Sequence, residues 1–251
     1  METIGLRCGM TLFEVLHEDD DLLVLNKPAG LVCHPTKTDA MSSLISRVRL
    51  HLGPTGNPQL VNRLDRETSG VILVAKAAST ARELGKLLEN RLVEKCYLAI
   101  VHGSMEQLRG QIEAPVGKDE RSPVAIKDTV RPDGNPACTQ FEVIRRFQVG
   151  EDSFSLLRLQ PMTGRKHQLR IHLASVGHSI VGDKLYGQDE MLYLKFVKSQ
   201  LTPEDWQKLL LPNHALHAER VRFRWREREW DFQVEPEAWF QEFLGRTANR
   251  R

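Results

Sequence analysis

The 251-residue chain has four cysteines, no long apolar run and a net charge of only +2, and each shortage closes a class of function. Cys8, Cys33, Cys96 and Cys138 are scattered and form no CxxC pair. That spacing offers neither a zinc site nor a disulfide framework, and it fits a cytoplasmic protein with reduced thiols. No stretch approaches the roughly 18 consecutive apolar residues of a membrane-spanning helix. The first twenty residues lack the basic stretch, apolar run and small-residue cleavage site of a secretory signal. There is no dinucleotide fingerprint, no P-loop and no HExxH, so nothing in the chain calls for a cofactor or a metal. His167 and His172 are five residues apart, which puts them on different faces of a helix and makes them a poor zinc pair. Internal repeats and low-complexity segments are absent too.

What is present is an ordinary globular balance, 41% hydrophobic and 27% charged, enough to fill a real core. The length suits one domain over residues 1–251, with residues 1–20 as a short leader. An apolar strand at Leu22–Leu25 ends at Lys27-Pro28, and Gly30 turns the chain. Ser42 is placed to cap a helix running to about Leu52, with Leu44, Ile45, Val48 and Leu52 on one face. Val71–Val74 reads as a buried strand, Thr80–Asn90 as a helix and Tyr97–Val101 as a strand. Residues 113–135 form an exposed, irregular excursion. Strands at about 139–146 and 154–159 follow, then a helix from Thr163 to Ser175 closed by Gly177. Thr202-Pro203-Glu204 is a helix start. Between Glu219 and Arg226, Val221, Phe223 and Trp225 alternate with Arg220, Arg222, Arg224 and Arg226. The alternation and the following Trp230–Val234 suggest a hairpin, and Pro236–Leu244 closes the chain as a helix. Strands outnumber helices and most neighbours are able to pair antiparallel, which favours α+β over a doubly wound sheet.

Three segments hold groups suited to chemistry. Asn62-Arg63-Leu64-Asp65-Arg66-Glu67-Thr68-Ser69-Gly70 sets a carboxylate between two arginines. Guanidinium groups keep a carboxylate ionised and ready as a nucleophile, but a surface ion-pair turn has the same composition. Thr163-Gly164-Arg165-Lys166-His167-Gln168-Leu169-Arg170-Ile171-His172 crowds donors at a helix entrance, a place for an anion or simply a capped helix. The arginine stripe near 220–228 either meets phosphates or is the solvated face of an edge strand. Tyr97, on a mixed strand, taken alone is a core residue.

Taken together and in order, NKPAGLVCHPT, RLDRETSGVILVAK, EKCYLAIVHG, TGRKHQLRIHLASVGHSIVGDKLYG and LHAERVRF resemble the RluA family of pseudouridine synthases. The likeness runs from about Leu22 to Phe232. It implies an α+β fold with a mixed, mainly antiparallel sheet, bent across its middle and flanked by helices, with a central cleft. It implies an enzyme that isomerises uridine to pseudouridine in ribosomal or transfer RNA without a cofactor. Asp65 matches the family's essential aspartate, Tyr97 its ring-stacking tyrosine implicated in proton removal, and Arg165 the basic residue paired with the aspartate. Arg63 matches an arginine that fills the gap left by a flipped nucleotide, and Leu216 an apolar position near the pocket. Arg222 and Arg224 are candidates for RNA backbone contacts. The chain departs from the pattern at Asn62, often His in the family, and at Arg224-Trp225, where His-Pro is usual. The stretch before the first block leaves no room for the S4 RNA-binding domain of many relatives, and a monomer is the default. Two other readings share these residues. A glycosidic hydrolase would need a second carboxylate, for which Glu67 is the only neighbour in the motif. A non-catalytic RNA-binding or ribosome-assembly protein would use the cleft without turnover.

Overall fold

A computed structural model of the chain describes residues 13–35, 43–54 and 56–246. The expected cap at Ser42, most of the leader and the end of the tail lie outside these residues. The chain runs β1 (Glu14–Glu18), β2 (Leu22–Lys27), α1 (Leu44–Leu52), β3 (Gln59–Leu60), β4 (Ser69–Ala75) and α2 (Ala78–Glu89). It continues through β5 (Val93–His102), β6 (Arg109–Glu113), β7 (Val116–Lys118), β8 (Asp128–Val130), β9 (Cys138–Val149) and β10 (Asp152–Pro161). Last come α3 (Gln168–Ser175), α4 (Met191–Val197), α5 (Pro203–Leu209), β11 (Leu216–Trp225), β12 (Arg228–Gln233) and α6 (Ala238–Gly245).

Ten strands form one sheet in the order β1-β2-β4-β11-β5-β10-β9-β6, with β3 added beside β4 and β12 beside β11. All pairings are antiparallel except β4 with β11, which is a short parallel contact of His217 with Ser69 and Ala218 with Gly70. The fold is thus α+β with a mixed, mainly antiparallel sheet, as expected. β4 and β12 share the same edge of β11, β4 along its start and β12 from Arg220 to Trp225. The sheet forks there, and Val71, Leu73, Val221, Phe223, Trp225 and Trp230 fill the angle against Leu84 of α2. The seam is tight. Gly70 has φ +111°, and a Cβ placed on it would lie 2.2 Å from the Ala218 carbonyl oxygen. Only glycine satisfies both the backbone and the contact.

Each helix has a local cause. Ser43 caps α1 through the Ser46 amide, one residue beyond the expected Ser42. Thr202 and Asp205 form a reciprocal capping box on α5, with Pro203 in its first turn. α6 buries Phe240 and Phe243 against Phe147 and Phe154 of the β9–β10 hairpin. The excursion at 113–135 is more ordered than its composition suggested, since β7 and β8 pair in it. The expected helix from Thr163 begins five residues later, at Gln168, and this shift decides the site. No helix among the described residues is long and apolar enough to cross a membrane.

Candidate active site

Asp65 sits in the loop between β3 and β4, on a turn closed by the Thr68 amide donating to its carbonyl at 3.2 Å. Buried polar groups fix that turn from below. Lys27, at the end of β2, donates to the carbonyls of Pro28, Leu31 and Arg66 at 2.8, 2.9 and 3.1 Å. Burial lowers its pKa to about 8. Glu67 accepts both oxygens' worth of bonds from Lys184, at 2.9 and 3.0 Å, and one from the His214 amide. Thr68 and Ser69 share hydrogen bonds of 2.7 and 2.8 Å with His214 and His217. The hydroxyls and the glutamate of the RLDRETSG motif are therefore scaffolding. Glu67 is also removed as a second catalytic carboxylate, because Lys184 holds it.

The partner of Asp65 is Arg170, not Arg165. The Arg170 guanidinium donates from Nη1 to Asp65 Oδ2 at 2.8 Å. Its Nε and Nη2 donate to the two oxygens of Asp183 at 2.6 and 2.8 Å. Asp183 also accepts from the amides of Leu185 and Tyr186, and the Tyr186 ring lies 4.9 Å under the guanidinium. A guanidinium clamped by one fully buried carboxylate has a single free edge, and that edge meets Asp65. Arg165 is turned away, with Nε donating to the Pro136 carbonyl. The reason is the late start of α3. Gln168 accepts from the Thr163 hydroxyl and the Arg165 amide, so residues 163–167 close into a loop outside the helix. His167 enters α3 in the left-handed conformation, φ 55°. Arg170 lies within the first turn and points inward. The sequence shows two arginines in TGRKHQLR, and only the position of the helix start tells them apart.

The electrostatics suit a poised carboxylate. Burial is the largest single influence on Asp65 and raises its pKa, but the opposing pulls, led by the Arg170 charge, together outweigh it and hold the pKa below its ordinary value. Its side chain retains 27% exposure, and Oδ1 accepts no hydrogen bond from the described residues. The His167 ring stands 3.8 Å from Oδ1, and its Nδ1 shares a hydrogen bond with the Tyr186 hydroxyl. Burial lowers the His167 pKa to about 4 and that of His214 to about 3, so both rings are neutral at pH 7. Tyr97 extends from β5 beside Ala218, the residue that also pairs with Gly70 across the seam. Burial, with the Asp65 charge, raises its pKa well above the usual tyrosine range. Tyr97 is thus a protonated phenol near the carboxylate.

The other expected positions divide. Arg63 is exposed, two residues before Asp65, and makes no ion pair among the described residues. Leu216 is buried in the core under β5 and β10. Arg222 and Arg224 are exposed, but the structure does not bring them to the cleft. Arg222 is in register with Glu94, which alternates with Tyr97 and so faces the other side of β5. Asp231 and Glu229 stand beside Arg222 and Arg224 on β12, and Arg220 and Arg226 are taken up by Asp231, Asp21 and Glu83. This stripe is neutralised by its neighbours. His172 bonds Thr139 and the Ala114 carbonyl, away from His167, and no cluster able to hold a metal ion occurs among the described residues.

The family model described as RNA pseudouridylate synthase matches residues 21–175, and the chain belongs to that family. It is 37% identical over 212 residues to the uncharacterized RNA pseudouridine synthase YhcT of Bacillus subtilis, covering 83% of this chain and 63% of that protein. With the ribosomal large subunit pseudouridine synthase D of Nitrosomonas europaea it shares 36% identity over 210 residues, covering 82% and 56%. The chain thus spans less than two thirds of the length of these relatives. Human RNA pseudouridylate synthase domain containing 4 superposes with a TM-score of 0.70 at 28% identity, covering 92% of both chains. Human RNA pseudouridylate synthase domain containing 1, at 23% identity and a TM-score of 0.72, shares the fold.

Proposed function

We propose that this chain isomerises uridine to pseudouridine in structured RNA, with Asp65 as the group that begins the reaction. The observation that carries this is the convergence of Asp65, Arg170 and Tyr97, from three distant segments, at one cleft beside the β4–β11 seam. The reaction breaks the N1–C1′ bond, turns the uracil and joins C5 to C1′. The C5 proton leaves and N1 gains one, so nothing is oxidised or reduced.

A carboxylate held ionised, with one oxygen on a fixed guanidinium and the other free of hydrogen bonds from the described residues, supplies the nucleophile or base. Arg170 aims it and compensates its charge. Tyr97 offers a ring face on which the freed uracil rests while it turns, and the apolar wall around Tyr97 limits hydrolysis. The target atom is unreachable in a stacked helix, so the nucleotide leaves the stack. Arg63, exposed and without an ion pair among the described residues, is the side chain that would occupy the gap. Ribosomal and transfer RNA are the substrates proposed, the first in keeping with the name of the Nitrosomonas relative.

The test uses RNA labelled with tritium at uridine C5. Wild-type protein is expected to release tritium from ribosomal or transfer RNA with no free uracil, and Asp65→Ala is expected to release none. Free uracil would indicate a hydrolase instead. Tight RNA binding by both proteins without release would indicate a binding protein.

A further inference from the structure

One cation in the cleft has no role in the site described above. Lys95 is half-buried on β5, yet among the described residues its side chain has no hydrogen bond and no ion pair. The buried lysines Lys27 and Lys184 are, by contrast, fully engaged, the first by three carbonyls and the second by Glu67 and the Pro212 carbonyl. Lys95 lies two residues before Tyr97, so both side chains leave the same face of the strand, about 7 Å apart. Gly164 faces it from the loop that precedes α3. A Cβ built on Gly164 would lie 3.8 Å from Lys95 Nζ, with nothing else within 4 Å, so open space borders the amine. Burial alone shifts its pKa, downward, and no neighbouring carboxylate reverses the shift.

An ammonium drawn out of water without a counter-charge is destabilising unless an anion joins it in the working state. The anion that RNA brings to such a place is a phosphodiester. We propose that Lys95 binds a backbone phosphate of the RNA next to the displaced uridine and so positions the base over Tyr97. It is a positioning residue and takes no part in bond making. The identity of the polyanion rests on the function proposed above, whereas the anion site itself rests on the geometry of Lys95 and Gly164.

The test is binding of an oligouridylate at several salt concentrations, with every variant made in both wild-type and Asp65→Asn backgrounds. Lys95→Met keeps the alkyl stem and removes the charge. Lys86→Met, on the exposed face of α2, makes the same change in net charge away from the cleft. Lys95→Met is expected to bind about tenfold more weakly and to lower the slope of log affinity against log salt by about 0.7, one phosphate's worth for a single strand. Lys86→Met should leave both unchanged. Lys95→Arg should restore the slope. Amine acetylation of the unsubstituted protein gives a second readout that does not depend on a variant folding: the oligouridylate should protect Lys95 and not Lys86. An unchanged slope in Lys95→Met, or an unprotected Lys95, overturns the proposal. Both readouts report binding, so a protein that released no tritium would lose the isomerase reading while the Lys95 result still stood.

Discussion

At the scale of single residues, the deciding feature is which arginine Asp65 meets. Arg170 is 8% exposed and bridges Asp65 to Asp183, which is fully buried. Removing one member of a buried ionic group leaves the others uncompensated, so Arg170→Met should destabilise the fold by about 3–5 kcal/mol. The folded fraction should lose C5 tritium release by at least about a hundredfold, since Asp65 is no longer aimed. Arg170→Lys should not rescue it, because one ammonium does not serve two carboxylates in fork geometry. Arg165→Met should stay within about 0.5 kcal/mol of wild type, with kcat nearly unchanged. Urea unfolding and tritium release on both variants check this, and a larger kcat loss in Arg165→Met would return the role to Arg165. The aspartate and tyrosine were named through the resemblance, since their own spacing fitted an ion-pair turn and a core residue equally well. The arginine was not legible, since a side-chain loop closed by Gln168 fixes the helix start and leaves no periodic signal.

At the scale of elements, capping and alternation carried well from sequence to structure. Thr202-Pro203 starts α5, Val221-Phe223-Trp225 forms the buried face of β11, and the fully buried run Val71–Val74 lies inside β4. The short strands β1, β3 and β6 and the helix α4 gave no comparable signal; β6, for one, is held by β9, with β7 and β8 between them in the chain. The arginine stripe shows the same limit. Its alternation was plain, but its acidic cross-strand partners depend on register. Gly70 is the element-scale hinge of the whole site, since it joins β4 to β11 directly after the turn that carries Asp65. Gly70→Ala adds a Cβ at 2.2 Å from a backbone oxygen and forces φ +111° on a non-glycine residue. We expect a loss of about 3 kcal/mol or more, read as a lowered urea midpoint at unchanged m-value. A variant as stable as wild type would show that the seam can open without penalty.

At the scale of the whole molecule, the class of fold followed from counting strands, but the order of strands did not. β11 comes late in the chain yet lies between β4 and β5, and no local pattern announces a pairing across more than a hundred residues. The centre thus built is crowded with imidazoles, and this gives the molecule a characteristic pH dependence. Of nine histidines, six have shifts in the same direction, downward, with burial as the first cause: His34, His102, His167, His172, His214 and His217. In the unfolded chain each takes up its proton near pH 6.5, whereas folded His167 and His214 wait until about 4 and about 3. Below pH 6.5 the unfolded state therefore binds more protons, and stability falls as the pH falls. It should fall by about 1.4 kcal/mol per pH unit for each strongly shifted ring. The loss begins before the carboxylates titrate, because the downward shifts of Asp65 and Asp183 remove stability only below their ordinary range near 3.8. Chemical denaturation at steps from pH 7.5 to 5 should thus show a steady decline. His214→Gln should make the slope shallower by one ring's share, whatever it does to stability at pH 7.5. His214 is the most informative ring to replace, since its Nδ1 is buried without a hydrogen-bond partner among the described residues and faces, at 3.5 Å, a Glu67 carboxylate already held by Lys184. A stability profile flat down to pH 5 would mean that these rings take up their protons in the folded protein, and that the centre around Asp65 is wetter than its packing shows.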